Sequence, residues 1–128
     1  MSDGIVIIPT YNEIENIESI IRAVFALPKT FHFLIVDDNS PDKTADKVIE
    51  LQKEFPIQLF LASRTKKSGL GTAYVHGFKW ALKNDYHYIF EMDADFSHNP
   101  NDLERLYHAC HDEGADLAIG SRYVTGVN

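Results

Sequence analysis

Short apolar runs alternate along the chain with longer segments in which apolar residues recur every three or four positions. Continuous apolar runs are typical of strands buried on both faces of a parallel sheet, and the periodic segments are typical of amphipathic helices. The pattern predicts five strands, at residues 5–8, 33–36, 57–61, 88–92 and 117–119. It predicts four helices between them, at residues 12–27, 40–55, 70–82 and 99–110. Alternation of this kind predicts an α/β protein with a mostly parallel sheet sandwiched by helices.

Local signals predict where the first two helices begin. Asn12 is a favoured N-cap residue, and Glu15 three positions later completes a capping-box pattern. Pro28 is expected to end the same helix, because a proline inside a helix removes a backbone hydrogen bond. Ser40 followed by Pro41 predicts the start of the second helix, with Ser40 as its N-cap.

The composition indicates a single acidic domain. The chain has 128 residues, of which 45% are hydrophobic, and this is enough for one domain with its own core. The formal net charge of −7 disfavours a nucleic-acid-binding protein, which would carry a basic face. Cys110 is the single cysteine, so an internal disulfide is excluded and we expect a cytoplasmic protein. We expect neither a signal peptide nor a membrane-spanning segment in these residues.

A pair of acids at a strand end is the first candidate for chemistry. Asp93 and Asp95 follow the fourth predicted strand, with Ala94 between them. Side chains at positions i and i+2 of a strand point the same way, so the two carboxylates can converge. Close carboxylates repel unless a cation or a proton lies between them, and a hard cation such as Mg²⁺ suits oxygen ligands. Two acids at a strand end also fit a solvated turn, so the pair alone does not decide.

Polar and aromatic side chains follow the other predicted strands as well. In a parallel sheet the carboxyl ends of the strands share one edge, and ligands bind there. The residues predicted at this edge are Pro9, Tyr11, Glu13, Asp37, Asp38, Arg64, Lys66, Lys67, Asp93, Asp95 and Arg122. Their convergence favours a binding site more strongly than any single motif does.

These residue types suit a nucleoside diphosphate. Asp37 or Asp38 is placed to accept hydrogen bonds from a ribose or a base, while the other is expected to cap the helix at Ser40. Tyr11 is expected either to cover a nucleobase or to pack at the rim. Arg122 suits a diphosphate, because a guanidinium binds phosphate through two hydrogen bonds; a salt bridge is the alternative. No G-x-G-x-x-G pattern follows the first strand, which disfavours a dinucleotide-binding protein.

Five segments, in this order along the chain, resemble the motifs of one enzyme family. They are Pro9-Thr-Tyr-Asn-Glu13, Val36-Asp-Asp-Asn-Ser-Pro41, Gly69-Leu-Gly-Thr-Ala-Tyr74, Asp93-Ala-Asp-Phe-Ser-His98 and Gly120-Ser-Arg-Tyr123. The chain is similar to the amino-terminal catalytic part of family 2 glycosyltransferases, and among them to the dolichol-phosphate and polyprenol-phosphate mannosyltransferases. The resemblance implies a GT-A fold, a Rossmann-like nucleotide-diphospho-sugar transferase fold, over residues 1–128. One departure is Asn39, which stands where the family usually has glycine and which tolerates a left-handed conformation.

The resemblance also implies roles for individual residues. Positions that contact the donor nucleotide, its base or its ribose are matched by Pro9, Tyr11, Glu13, Val36 and Asp38. Positions at the donor and metal site are matched by Asp93, Ala94, Asp95 and Ser97. Positions near the donor diphosphate or the acceptor phosphate are matched by Arg122, Lys66 and Lys67. Asp93, Asp95 and Arg122 are the expected catalytic residues, and the two aspartates are the expected ligands of Mg²⁺ or Mn²⁺.

The implied reaction is an inverting transfer of a sugar from a nucleoside diphosphate, with GDP-mannose as the favoured donor, to a polyprenyl phosphate. Two alternatives stay open: a family 2 transferase that acts on a saccharide with another nucleotide sugar, and a nucleotide-binding fragment without turnover. Family members continue beyond the position of Asn128. We therefore expect a truncated form, the nucleotide-sugar-binding catalytic domain of a longer protein whose full length contacts the cytoplasmic face of a membrane. No nucleic-acid partner is expected.

Overall fold

The computed structural model describes residues 4–27, 30–65, 70–92 and 102–111 of the chain. Strands and helices alternate along them. The strands are β1 (Gly4–Thr10), β2 (His32–Asp37), β3 (Leu59–Ser63) and β4 (Tyr88–Glu91). The helices are α1 (Ile17–Phe25), α2 (Thr44–Gln52), α3 (Leu70–Lys83) and α4 (Asp102–His111).

The four strands form one parallel sheet in the order β3-β2-β1-β4. β1 and β2 occupy its centre, and every residue of both strands is buried. This burial explains why the first two strands are continuous apolar runs rather than alternating ones. The predicted α/β fold with a mostly parallel sheet is confirmed, while the fifth predicted strand, at residues 117–119, lies outside the described residues.

The core has two layers because successive side chains of a strand point to opposite faces of the sheet. On one face, Val6 and Ile8 of β1 pack with buried residues of α1, α2 and α4. On the other face, Ile5 and Ile7 pack with residues of β2 and α3. Each strand of the centre therefore contributes to both layers. Among the described helices, none combines the length and the apolar character that crossing a bilayer requires.

The predicted starts of the first and second helices, at Asn12 and Ser40, are wrong. α1 begins at Ile17, because Asn12 has a positive φ of 57° and its side chain accepts a hydrogen bond from the backbone N–H of Asp42. α2 begins at Thr44, because the Ser40 hydroxyl accepts a hydrogen bond from the backbone of Asn12 instead of capping its own helix. Side chains that favour caps also bind other backbone groups, and here the partners lie in a different loop.

The other boundaries deviate less. β3 begins at Leu59, two residues later than predicted, because Ile57 lies in the turn after α2 and is 75% exposed. α1 ends at Phe25, before the predicted stop at Pro28, and Pro28 itself lies outside the described residues. The predicted start of the fourth helix at residues 99–100 also lies outside them, whereas the helix itself is present as α4.

Small residues bring α3 close to the sheet. Gly77, Ala73 and Ala81 are buried, and Gly77 lies directly against Ile7 of β1. A Cβ atom at position 77 would lie 2.6 Å from Ile7 Cγ2 and 3.0 Å from Ile7 Cδ1. The helix therefore depends on the missing side chain of Gly77 for its distance from β1.

We expect Gly77→Ala to lower the free energy of unfolding by about 1–2 kcal/mol, because overpacking against the fully buried Ile7 outweighs the better helix propensity of alanine. Urea unfolding at neutral pH measures the change. His76→Ala, on the exposed side of the same helix, is the control and should stay within about 0.5 kcal/mol of the wild type. A Gly77→Ala variant as stable as the wild type would contradict the close packing of α3 on β1.

Candidate functional site

The carboxyl ends of three neighbouring strands lie side by side. Thr10 of β1 pairs with Asp37 of β2, and Asp37 pairs with Ser63 of β3. β4 ends earlier, and its neighbour Met92 donates from its backbone N–H to the Ile7 carbonyl at 3.1 Å. The loops after β1, β2 and β3 therefore start from one edge of the sheet, which is where ligands of parallel α/β proteins bind.

Asp37 holds this edge together and is itself 1% exposed. Its Oδ1 accepts hydrogen bonds from Thr10 Oγ1 at 2.7 Å and from Ser40 Oγ at 2.6 Å. Its Oδ2 accepts one from the Ser40 backbone N–H at 3.0 Å. Of the two neighbouring acids, Asp37 is thus the one that binds Ser40, but it does not cap a helix there as expected, because α2 begins at Thr44. Its carboxylate serves the turn and is not available to a ligand.

Asp38 forms a bidentate ion pair with Arg64. Arg64 donates from Nε to Asp38 Oδ1 at 2.6 Å and from Nη2 to Asp38 Oδ2 at 2.7 Å. The hydrogen bonds from Arg64 to Asp38 raise the pKa of the guanidinium. Planar, charge-assisted contacts of this kind are among the stronger hydrogen bonds in proteins, so they fix the orientation of the carboxylate.

The loops after β1 and β2 are joined by hydrogen bonds that the sequence analysis missed. The four bonds run from Asn12 N to Ser40 Oγ (3.0 Å), from Glu13 N to Thr44 Oγ1 (3.0 Å), from Ile14 N to Asp42 Oδ2 (3.1 Å) and from Asp42 N to Asn12 Oδ1 (3.3 Å). Asp42 also accepts from the backbone N–H of Thr44, the first residue of α2, at 3.0 Å. The Asp-x-Thr pattern at residues 42–44 was the available signal, since an aspartate side chain often binds the backbone N–H two residues further on.

The residues predicted to bind the nucleotide lie in these two joined loops or at the ends of the strands next to them. Tyr11 is 37% exposed, and Glu13 is partly buried in the same loop. Pro9 and Val36 are buried and pair across the sheet, directly below the loops. Asp38 follows at the end of β2. The structure therefore brings the predicted residues Pro9, Tyr11, Glu13, Val36 and Asp38 to one edge of the sheet.

The remaining predicted site residues lie outside the described residues. They are Lys66, Lys67, Asp93, Ala94, Asp95, Ser97 and Arg122. Within the described ranges no group of three or more His, Cys, Asp or Glu residues is placed to hold a metal ion. Of the described acids at this edge, Asp37 binds Ser40 in the turn and Asp38 pairs with Arg64. The predicted metal ligands Asp93 and Asp95 stay a prediction, and their oxygen donors fit a hard divalent cation.

The described residues thus define a parallel α/β protein with a polar carboxyl edge, the place where ligands of such sheets bind. The chain belongs to a family of this class: the family described as "Glycosyl transferase family 2" matches residues 5–128. This match confirms the family resemblance carried by the sequence motifs.

Curated relatives agree with the family. The chain is 51% identical to a polyprenol monophosphomannose synthase of Mycolicibacterium smegmatis, over 95% of this chain and 46% of the relative. It is 47% identical to an undecaprenyl-phosphate mannosyltransferase of Micrococcus luteus, over 94% of this chain and 48% of the relative. A dolichol-phosphate mannosyltransferase of Pyrococcus furiosus is 42% identical, over 94% of this chain and 33% of the relative. The chain thus spans about half the length of the first two relatives and a third of the third.

Solved structures confirm the fold. A mannosyltransferase from Pyrobaculum calidifontis in complex with GDP-Man and Mn²⁺ superposes with a TM-score of 0.71 at 23% identity, over 86% of this chain and 32% of that one. TarS of S. aureus in complex with UDP-GlcNAc superposes with a TM-score of 0.67 at 25% identity, over 88% of this chain and 32% of the TarS chain. The predicted GT-A architecture is confirmed by these likenesses.

The hydrogen bonds of Asp42 generate a pH prediction. Burial acts to raise the pKa of Asp42, but hydrogen bonds from Thr44 and Ile14 outweigh it and hold its pKa below the ordinary value of 3.8. A carboxyl whose pKa is lowered by folding stabilises the protein above its unfolded pKa and loses this effect as the pH falls through the folded pKa. We expect Asp42→Asn to cost about 1 kcal/mol at pH 7, because the amide keeps one acceptor oxygen and leaves one of the two loop contacts, from Ile14 or from Thr44, without its acceptor, and progressively less below pH 3.8.

Urea unfolding at pH 7 and at pH 3 measures this difference. Asp46→Asn, in the first turn of the same helix, is the control, because it removes a negative charge near the helix N-terminus without touching the two loops. A cost for Asp42→Asn that does not shrink on acidification would show that the charge of Asp42 does not hold the loops.

Proposed function

We propose that the complete protein is an inverting glycosyltransferase that moves mannose from GDP-mannose to a polyprenyl phosphate. The observation that carries this proposal is the 51% identity, over 95% of the chain, to a relative named polyprenol monophosphomannose synthase. Two further relatives share the mannosyl transfer to a lipid phosphate in their names. The edge of the sheet supplies groups that suit the nucleotide part of such a donor.

The nucleoside would bind where the loops after β1 and β2 meet. The Asp38 carboxylate accepts hydrogen bonds, and both ribose hydroxyls and the N–H groups of a guanine edge are donors. Tyr11, 37% exposed on the neighbouring loop, offers a flat surface for a base. Hydrogen bonds from Asn12, Glu13 and Ile14 to the second loop hold this arrangement before a ligand arrives. Little ordering then remains to oppose binding.

The diphosphate would lie towards Asp93, Asp95 and Arg122. A divalent cation, Mg²⁺ or Mn²⁺, held by the two aspartates would supply positive charge for the diphosphate leaving group. Arg122 would add a guanidinium that binds phosphate through two hydrogen bonds. The Mn²⁺ present with GDP-Man in the structurally similar mannosyltransferase is consistent with this arrangement, although that likeness concerns the fold.

The acceptor in this proposal brings its own nucleophile. A phosphate monoester is already ionised near neutral pH, since its second pKa is about 6. Attack by a phosphate oxygen on the anomeric carbon therefore needs no side chain as a general base. Lys66 and Lys67 would meet the acceptor phosphate, and the complete protein would work at the cytoplasmic face of a membrane, where a polyprenyl chain resides.

A second candidate is a family 2 transferase that acts on a saccharide with another nucleotide sugar. The likeness to TarS in complex with UDP-GlcNAc favours it, because the same fold there holds a uridine nucleotide. A third candidate is a nucleotide-binding fragment without turnover. Transfer assays on the complete polypeptide separate them: radiolabelled product with undecaprenyl phosphate supports the proposal, product with a saccharide alone supports the second candidate, and no product with either supports the third.

We expect Asp95→Asn to abolish the Mn²⁺-dependent part of GDP-mannose binding, because a neutral amide binds a divalent cation more weakly than a carboxylate does and the diphosphate loses its counter-charge. Calorimetric titrations with and without Mn²⁺ measure the loss. Asp46→Asn on α2 is the matched control and should bind as the wild type does. Donor affinity that is the same with and without Mn²⁺ in the wild type would contradict the metal role of Asp93 and Asp95.

A further inference from the structure

One side chain ties the end of β2 to the loop that follows β3. Arg64 donates to both oxygens of Asp38, at 2.6 and 2.7 Å. Its backbone N–H donates to the Asp37 carbonyl at 2.7 Å, and Asn39 Nδ2 donates to the Thr65 carbonyl at 3.2 Å. The segment around Asp38 and the segment around Arg64 therefore form one hydrogen-bonded unit.

The same guanidinium reaches the first turn of α3. Arg64 Nη1 donates to Thr72 Oγ1 at 3.1 Å, so the nitrogen that faces away from Asp38 binds the helix. Thr72 lies two positions after Leu70, where α3 begins. Arg64 thus connects the acid at the end of β2 with the helix that follows Lys66 and Lys67 in the sequence.

We propose that Arg64 is a positioning residue for donor binding, which holds the Asp38 carboxylate in the orientation that accepts hydrogen bonds from the donor nucleoside. This inference rests on the proposed function. A carboxylate offers about four acceptor positions, and a bidentate arginine occupies two of them. The pair with Arg64 is therefore compatible with further hydrogen bonds from a ligand. The planar fork of arginine fixes the plane of the carboxylate, which a lysine ammonium does not do.

The opposite role would be competition, in which Arg64 must leave Asp38 before the donor can bind. The burial of the pair argues against it, since the side chains of Arg64 and Asp38 are 15% and 7% exposed. Withdrawing the guanidinium would leave a nearly buried carboxylate without its partner, which is strongly unfavourable. It would also break the bond to Thr72. The two roles give opposite signs for the effect of removing Arg64 on donor affinity.

The test is a double-mutant cycle on the complete polypeptide, with GDP-mannose affinity measured by calorimetry in the presence of Mn²⁺. We expect Arg64→Gln to weaken donor binding roughly tenfold or more, the scale of a hydrogen bond to a charged group. Asp38→Asn should weaken it as well. The double variant should be within about twofold of Asp38→Asn alone, because a residue that acts through Asp38 has no effect once that carboxylate is gone.

Three further variants sharpen the experiment. Arg64→Lys keeps the charge without the fork and should bind with intermediate affinity. Thr72→Val removes the third contact of the guanidinium and should weaken donor binding less than Arg64→Gln; if Arg64→Gln does not fold, Arg64→Lys and Thr72→Val carry the test. Arg22→Gln is the matched control, because Arg22 of α1 forms a similar, exposed bidentate pair with Glu54 in the turn after α2. Its donor affinity should equal that of the wild type.

Each outcome decides the proposal. Weaker binding by Arg64→Gln together with a non-additive cycle supports it. Unchanged or tighter binding by Arg64→Gln overturns it, and so does weaker binding that adds to the effect of Asp38→Asn. In these cases the wild type still binds the donor, so the proposed function stands. A wild type that binds no nucleoside diphosphate sugar overturns the proposed function and the role of Arg64 together.

Discussion

The carboxyl edge of the sheet depends on one contact, the buried hydrogen bond between Thr10 and Asp37. It joins the ends of the two central strands at 2.7 Å, where they pair in the sheet. The same carboxylate accepts two bonds from Ser40, and Ser40 in turn accepts one from the backbone of Asn12. A buried carboxylate without partners is costly, so Asp37 needs the hydrogen bonds from Thr10 and Ser40. They determine where the first two loops lie.

Asp37 and Asp38, the two consecutive acids at the end of β2, are chemically identical but have different roles. The Asp37 carboxylate accepts hydrogen bonds from Thr10 and Ser40, whereas the Asp38 carboxylate accepts hydrogen bonds from Arg64. Asp38 follows the last residue of β2, and its backbone N–H donates to the Thr10 carbonyl at 3.1 Å. The proposed nucleotide site thus has a layer of buried hydrogen bonds beneath it, and the residue that would contact the ligand is paired with an arginine that follows the next strand.

The sequence predicts best what depends on local pattern. β1 and β2 are continuous apolar runs because both of their faces are covered, and this pattern can be read directly from the sequence. The starts of α1 and α2 were predicted wrongly because Asn12 and Ser40 bind each other's loops, 28 residues apart, rather than their own helices. The pair of Asp38 with Arg64 spans 26 residues and has no local signature at all. Contacts between such distant residues can be recognised only in the structure, where the sheet brings the ends of the strands together.

The central claim is that a nucleoside diphosphate binds at the carboxyl edge of the sheet, and amide chemical-shift mapping tests it most directly. Titrating ¹⁵N-labelled protein with GDP and Mg²⁺ should shift the backbone amides of Tyr11, Glu13 and Asn39, which lie on the two joined loops. The amides of Phe31 and Tyr86, at the opposite edge of the sheet, should stay unchanged. Shifts centred on Phe31 and Tyr86, or no saturable shift anywhere, would contradict the account.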